Sequence, residues 1–314
     1  LGEAWFARAD ASRLWVTMHD CSEYQLWGGY YASLYVSKGD GKSRAISRPT
    51  YQSALLEAHA TTAGYMRGVH FTGGDRFEEG KQHNNNPGVY NVDYWYPGIA
   101  RDANTGLNTF EYLVSRRIKL VRLPFRWERI QPTLNGPLST AELQRYKASV
   151  RSAGAAGLKV VVDCHNYGGY CTSTGRNVLN TEALPISAFI DLWRRLSEAF
   201  EDDPAVVAYD LMNEPYTYGG INAGRHSSPA KAWESAAQKA VNIIRARGER
   251  KKIMVPTYGP VPKVAESHDG PWITGGNIAY TSHHYFDHWF GPDTGGGNYA
   301  LSYDDENAYY ASRG

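Results

Sequence analysis

From about residue 64 onward, the chain alternates between short apolar runs and longer stretches with helical periodicity. Runs that are apolar at successive positions are typical of strands buried on both faces of a parallel sheet. We predict six such strands, at residues 65–71, 118–125, 158–166, 206–215, 251–259 and 278–286. Each is followed by a loop or helix, which favours right-handed βαβ units.

The stretches between the strands predict amphipathic helices. In residues 139–157, Ser139 followed by Glu142 predicts a capping box, and the stretch ends in glycines. Another helical stretch, residues 229–248, ends at Gly248. One apolar stripe runs along residues 186–200: Ile186, Phe189, Ile190, Trp193, Leu196 and Phe200. The fold class predicted is an α/β (β/α)8 barrel that is incomplete at its C-terminal side, with about six of eight units.

Residues 1–63 have a different pattern, with short aromatic and β-branched segments separated by Gly, Asp and Lys turns. We expect a β-rich segment here, the remnant of an accessory module such as a carbohydrate-binding one, plus a linker. The barrel domain would then comprise residues 64–314, without strands seven and eight. The start at Leu1 and the end at Gly314 favour an internal piece of a longer polypeptide.

Composition excludes several classes of function. Lys and Arg number 33 against 32 Asp and Glu, and no basic stripe indicates nucleic-acid binding. No apolar run approaches the roughly 18 residues that a membrane span needs. The hydrophobic fraction of 42% allows a sizeable core, and the aromatic fraction of 13% suits contacts with sugar faces as well as core packing. We expect a monomer.

The chain has three cysteines, Cys21, Cys164 and Cys171. Cys164 and Cys171 flank the short sequence HNYGGY and either close a small disulfide loop or remain as buried thiols. The sequence leaves both alternatives open.

Polar side chains follow four of the predicted strands. In a barrel of parallel strands, the carboxyl ends of the strands carry the chemistry. Pro215 directly follows Asn213 and Glu214 and stops their strand, so that both are fixed at its carboxyl end. The strand-end residues are Arg122, Asp163, His165, Asn166, Asn213, Glu214, His283, His284 and Tyr285.

These strand ends contain the motifs LVRLPFRWERIQP, VVDCHNYGGY, AYDLMNEP and HHYFD, in this order. Together they resemble glycoside hydrolase family 5, the cellulase-type (β/α)8 barrels, from about Met66 to Asp287. The chain is most similar to the endo-β-1,4-glucanases of that family with a D-x-H-N-Y-G-x-Y motif. The resemblance therefore implies a retaining, endo-acting enzyme that cleaves β-1,4-glucan without a cofactor or a metal, and a secreted protein.

The resemblance also implies a role for each strand-end residue. Glu214 matches the general acid/base, and Asn213 matches the residue that binds the sugar 2-hydroxyl. Arg122 matches the arginine that keeps the nucleophile ionised, with the alternative that it is a structural partner of Asp163.

The remaining matches concern the substrate cleft. His165 matches the family's subsite histidine, and His283 with Tyr285 matches the pair after strand six. Tyr285 would also bond the nucleophile. His70 stands where the family usually has Asn, which places the outer part of the cleft in question. Asn166 is a further candidate substrate-binding residue. The candidate sugar-stacking aromatic residues, for each of which core or surface packing is an equal alternative, are Trp127, Tyr167, Tyr170, Tyr216 and Trp289.

The family's nucleophile is a Glu after strand seven, in a G-E-F-G-like context that this chain lacks. We expect the nucleophile beyond Gly314 and expect this chain alone to be inactive. One alternative is a catalytically inactive carbohydrate-binding barrel. A second is a metal-dependent hydrolase that uses His165, His283, His284, Asp287 and His288.

Overall fold

The computed structural model describes residues 66–76, 87–215, 228–256 and 272–281, together with three short strands before residue 46. Several predicted residues lie outside the described part of the chain: Cys21, Tyr216, His283, His284, Tyr285, Asp287, His288 and Trp289.

The described elements alternate between strands and helices along the chain. The strands are β1 (Val16–Met18), β2 (Tyr35–Ser37), β3 (Ser43–Ala45), β4 (Arg67–His70), β5 (Leu120–Phe125), β6 (Lys159–Cys164), β7 (Gly169–Thr172), β8 (Gly175–Val178), β9 (Val206–Asp210), β10 (Lys252–Pro256) and β11 (Ile278–Thr281). The helices are α1 (Thr109–Ser115), α2 (Trp127–Ile130), α3 (Thr140–Ala156), α4 (Ile186–Phe200) and α5 (Ser228–Ala246).

The main sheet has the strand order β1-β4-β5-β6-β9-β10-β11, and its neighbouring strands are all parallel. The six strands predicted from the apolar runs all belong to it, in the order of the chain, so the predicted barrel-type α/β fold is confirmed. β6 and β9 end earlier than predicted, because the polar motifs that follow Cys164 and Asp210 leave the sheet as loops. One of these loops contains the β7–β8 hairpin, which the sequence did not predict.

The β1 strand comes from the segment that we expected to be separate from the barrel. It pairs in parallel with β4, and the pairing joins Val16 to Arg67 and Met18 to Val69. A boundary at residue 63 therefore does not separate this strand from the barrel sheet, whereas β2 and β3 form a hairpin of their own.

The helices cover the sheet with the apolar stripes that the sequence indicates. α3 begins at Ser139, whose hydroxyl accepts from the Glu142 amide at 3.3 Å, and it ends at Gly157 in the left-handed conformation. In a complete capping box the Glu142 carboxylate would also accept from the Ser139 amide. Here it accepts from the hydroxyls of Tyr94 and Tyr96 instead. None of the described helices is both long enough and apolar enough to cross a membrane.

Candidate active site

Arg122, on β5, is the centre of a buried polar cluster at the carboxyl ends of the strands. Only 8% of the residue is exposed. Its Nε donates to Asp210 Oδ2 at 2.9 Å, and its Nη2 donates to Asp163 Oδ1 at 2.8 Å and to Asn213 Oδ1 at 3.1 Å. Its Nη1 lies 3.0 Å from His70 Nδ1. Burial would lower the pKa of Arg122, but the carboxylates of Asp163 and Asp210 hold it above its ordinary value.

The sheet register explains why these side chains meet. Asp163 pairs with Pro124 on one side and with Asp210 on the other, so the ends of β5, β6 and β9 lie at one level. The amide of Asn213 then donates to the carbonyl of Cys164 at 2.8 Å, which continues the contact beyond β9. The motif residues of three strands therefore form one site.

Glu214 follows Asn213 directly and is partly exposed. Its φ is +41°, which is unusual for a residue with a side chain and marks a sharp turn of the chain at the strand end. The turn leads the chain from the buried Asn213 to a residue that is partly exposed. This is the placement that a group exchanging protons with a ligand requires.

His165 lies beside the arginine cluster. Its Nδ1 is 2.7 Å from Asp163 Oδ2, so that Nδ1 carries a proton and donates it to the carboxylate. Its Nε2 lies 3.1 Å from the hydroxyl of Tyr167. Asp163 therefore orients both Arg122 and His165.

Asp75 and Asp210 belong to the cluster, although the sequence analysis did not select either of them. Asp75 Oδ2 lies 3.5 Å from His70 Nε2 and 3.8 Å from His165 Nε2. Burial lowers the pKa of His70 to about 3. Burial opposes ionisation of Asp75, but the hydrogen bond from His70 and the neighbouring imidazoles hold the pKa of that carboxyl below its usual range. The available signal was position, because each aspartate lies at or just after a strand end.

Candidate ligand atoms of His70, Asp163 and His165 lie within 4.8 Å of one another, a spacing that a metal ion could bridge. Arg122, however, donates hydrogen bonds to both Asp163 and His70. A cation at this position would have to displace the guanidinium group, so these residues favour a hydrogen-bonded cluster over a metal centre.

Three predicted substrate-binding residues lie in the interior instead of lining an open groove. Trp127 is 0% exposed, and its indole donates to Gln131 at 2.9 Å. Tyr170 packs edge-on against Trp127 and donates to the carbonyl of Gln131. Asn166 accepts from the Trp127 amide and donates to Glu128. Trp127 and Tyr170 are therefore placed as their packing alternative describes, and the polar atoms of all three residues are engaged within the protein.

Both described cysteines are buried free thiols, which decides between the two alternatives left open. The Sγ of Cys171 accepts from Arg126 at 3.2 Å and from Arg176 at 3.3 Å. Cys164 lies in the sheet, where burial raises the pKa of its thiol well above the ordinary value.

A parallel α/β sheet with Arg, His, Asn and Glu gathered at its carboxyl ends defines a barrel enzyme of the glycosidase type. The Cellulase family profile (glycosyl hydrolase family 5) matches residues 78–312, and the chain belongs to this family.

Known relatives agree with this assignment. The manganese-dependent endoglucanase Eg5A of Phanerodontia chrysosporium is 30% identical over 157 residues, which cover 48% of this chain and 36% of that protein. A solved endo-β-1,4-glucanase of Xanthomonas axonopodis pv. citri is 33% identical with a TM-score of 0.55, covering 71% of this chain and 65% of that one. Pseudomonas stutzeri endoglucanase Cel5A, solved with cellobiose, is 28% identical with a TM-score of 0.55, covering 71% and 60%. The chain thus spans about a third of the Eg5A length.

Proposed function

We propose that this chain carries the acid/base side of a retaining, endo-acting β-1,4-glucanase, with Glu214 as the general acid/base. One observation carries the proposal. Arg122 Nη2 holds both Asp163 and Asn213, and Asn213 directly precedes the partly exposed Glu214. An oriented amide next to an accessible carboxyl is the pair that glycoside cleavage needs on the leaving-group side.

The reaction would proceed by double displacement. In the first step, a nucleophilic carboxylate attacks the anomeric carbon while Glu214 donates its proton to the departing glycosidic oxygen. In the second step, the Glu214 carboxylate takes a proton from the water that attacks the glycosyl ester. Asn213 binds the sugar 2-hydroxyl, an interaction that strengthens as the oxocarbenium ion develops.

We place the nucleophile beyond Gly314, as the absence of a second strand-end Glu in a matching motif suggests. Retention requires it at about 5–5.5 Å from the acid/base carboxyl. Arg122 and His165 are then residues that prepare the site for a partner carboxylate. This 314-residue chain alone would bind glucan without hydrolysing it.

The substrate class is proposed from the relatives, several of which are named endoglucanases or endo-β-1,4-glucanases. Others are named probable glucan 1,3-β-glucosidases, so the linkage must be measured. We propose cellulose-type β-1,4-glucan as the substrate of a secreted monomer.

The deciding experiment is Glu214→Gln in the protein at its natural full length. Hydrolysis of cello-oligosaccharides should fall by about 10²–10⁴-fold, because the leaving oxygen loses its proton donor. Aryl cellobiosides with good leaving groups should lose less in the first step, and azide should partly restore turnover. Glu198→Gln is the matched control, because Glu198 is an exposed glutamate on the outer helix α4, and it should leave the rates unchanged.

Three results would contradict the proposal or a part of it. Equal losses on natural and activated substrates, without azide rescue, would remove Glu214 from the acid/base role. Binding of cellotetraose by the full-length protein without any hydrolysis would identify an inactive carbohydrate-binding barrel instead. Turnover of carboxymethyl-cellulose by this chain alone would contradict the placement of the nucleophile beyond Gly314.

A further inference from the structure

The contact between Arg122 and His70 fixes the protonation of the imidazole. A guanidinium group can only donate hydrogen bonds. Arg122 Nη1 lies 3.0 Å from His70 Nδ1, so Nδ1 must carry a lone pair. In a neutral ring the proton is then on Nε2. Because burial lowers the pKa of His70 to about 3, the ring is neutral throughout the ordinary pH range.

Asp75 presents a carboxylate oxygen to that proton at the long end of hydrogen-bonding distance. Its Oδ2 lies 3.5 Å from His70 Nε2, and its Oδ1 accepts from the Gly73 amide at 2.8 Å. The amide contact determines which carboxylate oxygen faces the imidazole. An acceptor opposite Nε2 stabilises the Nε2–H tautomer, which is the tautomer that Arg122 requires.

We propose that His70 is a positioning residue for Arg122, and that Asp75 fixes the imidazole tautomer through which His70 acts. The chain Asp75–His70–Arg122 fixes Nη1 of the guanidinium, whereas Asp210 fixes Nε. The remaining Nη2 is thereby aimed at Asp163 and Asn213. The inference deepens the proposed function, because it explains how the arginine beside the acid/base is oriented.

The two neighbouring histidines provide an internal comparison. Their ring centroids are 5.0 Å apart. His165 donates from Nδ1 to Asp163, so its Nδ1 is protonated, whereas Nδ1 of His70 is not. In ¹⁵N-histidine-labelled protein, long-range ¹H–¹⁵N spectra should therefore show one ring protonated at Nε2 and its neighbour protonated at Nδ1.

Asp75→Asn is the decisive variant. Because the Gly73 amide needs an acceptor, the new side chain keeps its oxygen there and turns its NH2 group toward His70 Nε2. The donor then drives the proton to Nδ1, where it opposes Arg122. We expect the His70 signals to change to the Nδ1–H pattern while those of His165 stay at Nδ1–H. A wild-type His70 protonated at Nδ1, or an unchanged His70 tautomer in Asp75→Asn, would overturn the proposal.

His70 itself is tested by a pair of variants. His70→Asn retains an acceptor for Arg122 and should keep the slowly exchanging guanidinium protons of Arg122, whereas His70→Leu should lose them. In the full-length enzyme, His70→Leu should lower kcat by about tenfold or more with KM nearly unchanged, and His70→Asn should recover most of that loss. Circular dichroism confirms that the variants fold, and failure of His70→Leu to fold leaves Asp75→Asn as the test.

The spectra do not depend on hydrolysis. If the proposed function is wrong, Glu214→Gln should leave the activity unchanged while His70 keeps its expected tautomer. If only this inference is wrong, His70 should show a different tautomer while Glu214→Gln still abolishes activity. Equal kcat for His70→Leu and His70→Asn would also contradict the positioning role.

Discussion

A Cβ atom at Gly168 would lie 2.6 Å from the carbonyl oxygen of Pro215. The loop that follows β6 therefore touches the segment that follows β9 so closely that only a residue without a side chain fits. Gly168 also has a φ of +74°, in the left-handed region. This contact fixes the distance between the histidine loop and the chain segment that carries Glu214.

Gly168→Ala should therefore lower the free energy of unfolding for two reasons. The left-handed backbone costs about 1–2 kcal/mol for a residue with a Cβ, and the clash with Pro215 adds to this. Urea unfolding of Gly168→Ala is compared with that of Gly276→Ala, where φ is +71° and nothing lies within 4 Å of the new atom. Equal losses in the two variants would show that the loops are not in contact.

Arg122→Met should destabilise the fold strongly, because it leaves the carboxylates of Asp163 and Asp210 buried without their cation. Breaking a buried ion pair in this way costs about 3–5 kcal/mol. The matched control is Arg101→Met, since Arg101 makes two short contacts with Glu111 at the surface, where solvent screens the pair and its loss should have little effect on stability. If the denaturant midpoints of Arg122→Met and Arg101→Met are nearly equal, Arg122 does not neutralise a buried cluster of carboxylates.

Because it donates to the Glu142 carboxylate, the Tyr96 hydroxyl should contribute more to the free energy of unfolding than a buried hydroxyl with a neutral partner. Tyr96 donates to Glu142 Oε1 at 2.6 Å, and Tyr94 donates to the other oxygen at 2.9 Å. A hydrogen bond to a charged group contributes about 1.5–3 kcal/mol, so Tyr96→Phe should cost about that much.

The control for this variant is Tyr146→Phe, because the Tyr146 hydroxyl donates at 2.8 Å to the neutral carbonyl of Leu123. Its removal should cost about 0.5–1.5 kcal/mol. Both losses are measured by urea unfolding at neutral pH. A larger loss for Tyr146→Phe would mean that the Glu142 contacts contribute little.

The buried His70 should make stability depend on pH. The unfolded chain binds a proton on this ring near pH 6.5, whereas the folded protein does so only near pH 3. Between these values the unfolded state holds more protons, so the free energy of unfolding falls as the pH falls, by at most about 1.4 kcal/mol per unit.

His70→Asn should remove the His70 contribution to this pH dependence of the free energy of unfolding. The interval to measure is pH 6.5 to 4.5, where wild-type His70 binds its proton only in the unfolded state. The charged or titratable groups that face the ring are Asp75, Arg122, Asp163 and His165. Asp75 has its own effect, but its lowered pKa withdraws stability only below about pH 3.8. Parallel stability curves for wild type and variant over this interval would show that His70 is not buried as a neutral ring.

Much of the architecture follows from the sequence alone. Apolar runs predict the positions of the six strands, and apolar stripes at helical spacing predict the helices. These patterns are local, because the spacing of buried positions over a few neighbouring residues indicates whether a segment is a strand or a helix. The strand-end motifs around Arg122, His165 and Asn213 also determined the family. Parallel pairing then brings their ends together, since all carboxyl ends of a parallel sheet lie at one edge.

The tertiary structure decided what each of these residues does. Trp127 and Tyr170 are of residue types that often contact sugars, but both are buried in the core beneath the loop after β6. The residue type alone does not show whether an aromatic side chain is buried or exposed. Position at or after a strand end did not by itself distinguish Asp75 and Asp210, because their partners His70 and Arg122 reach them only through the sheet and its loops. Local periodicity fixes where a strand lies, whereas the partners of its last side chain depend on which strands lie beside it. That neighbourhood is a property of the folded sheet.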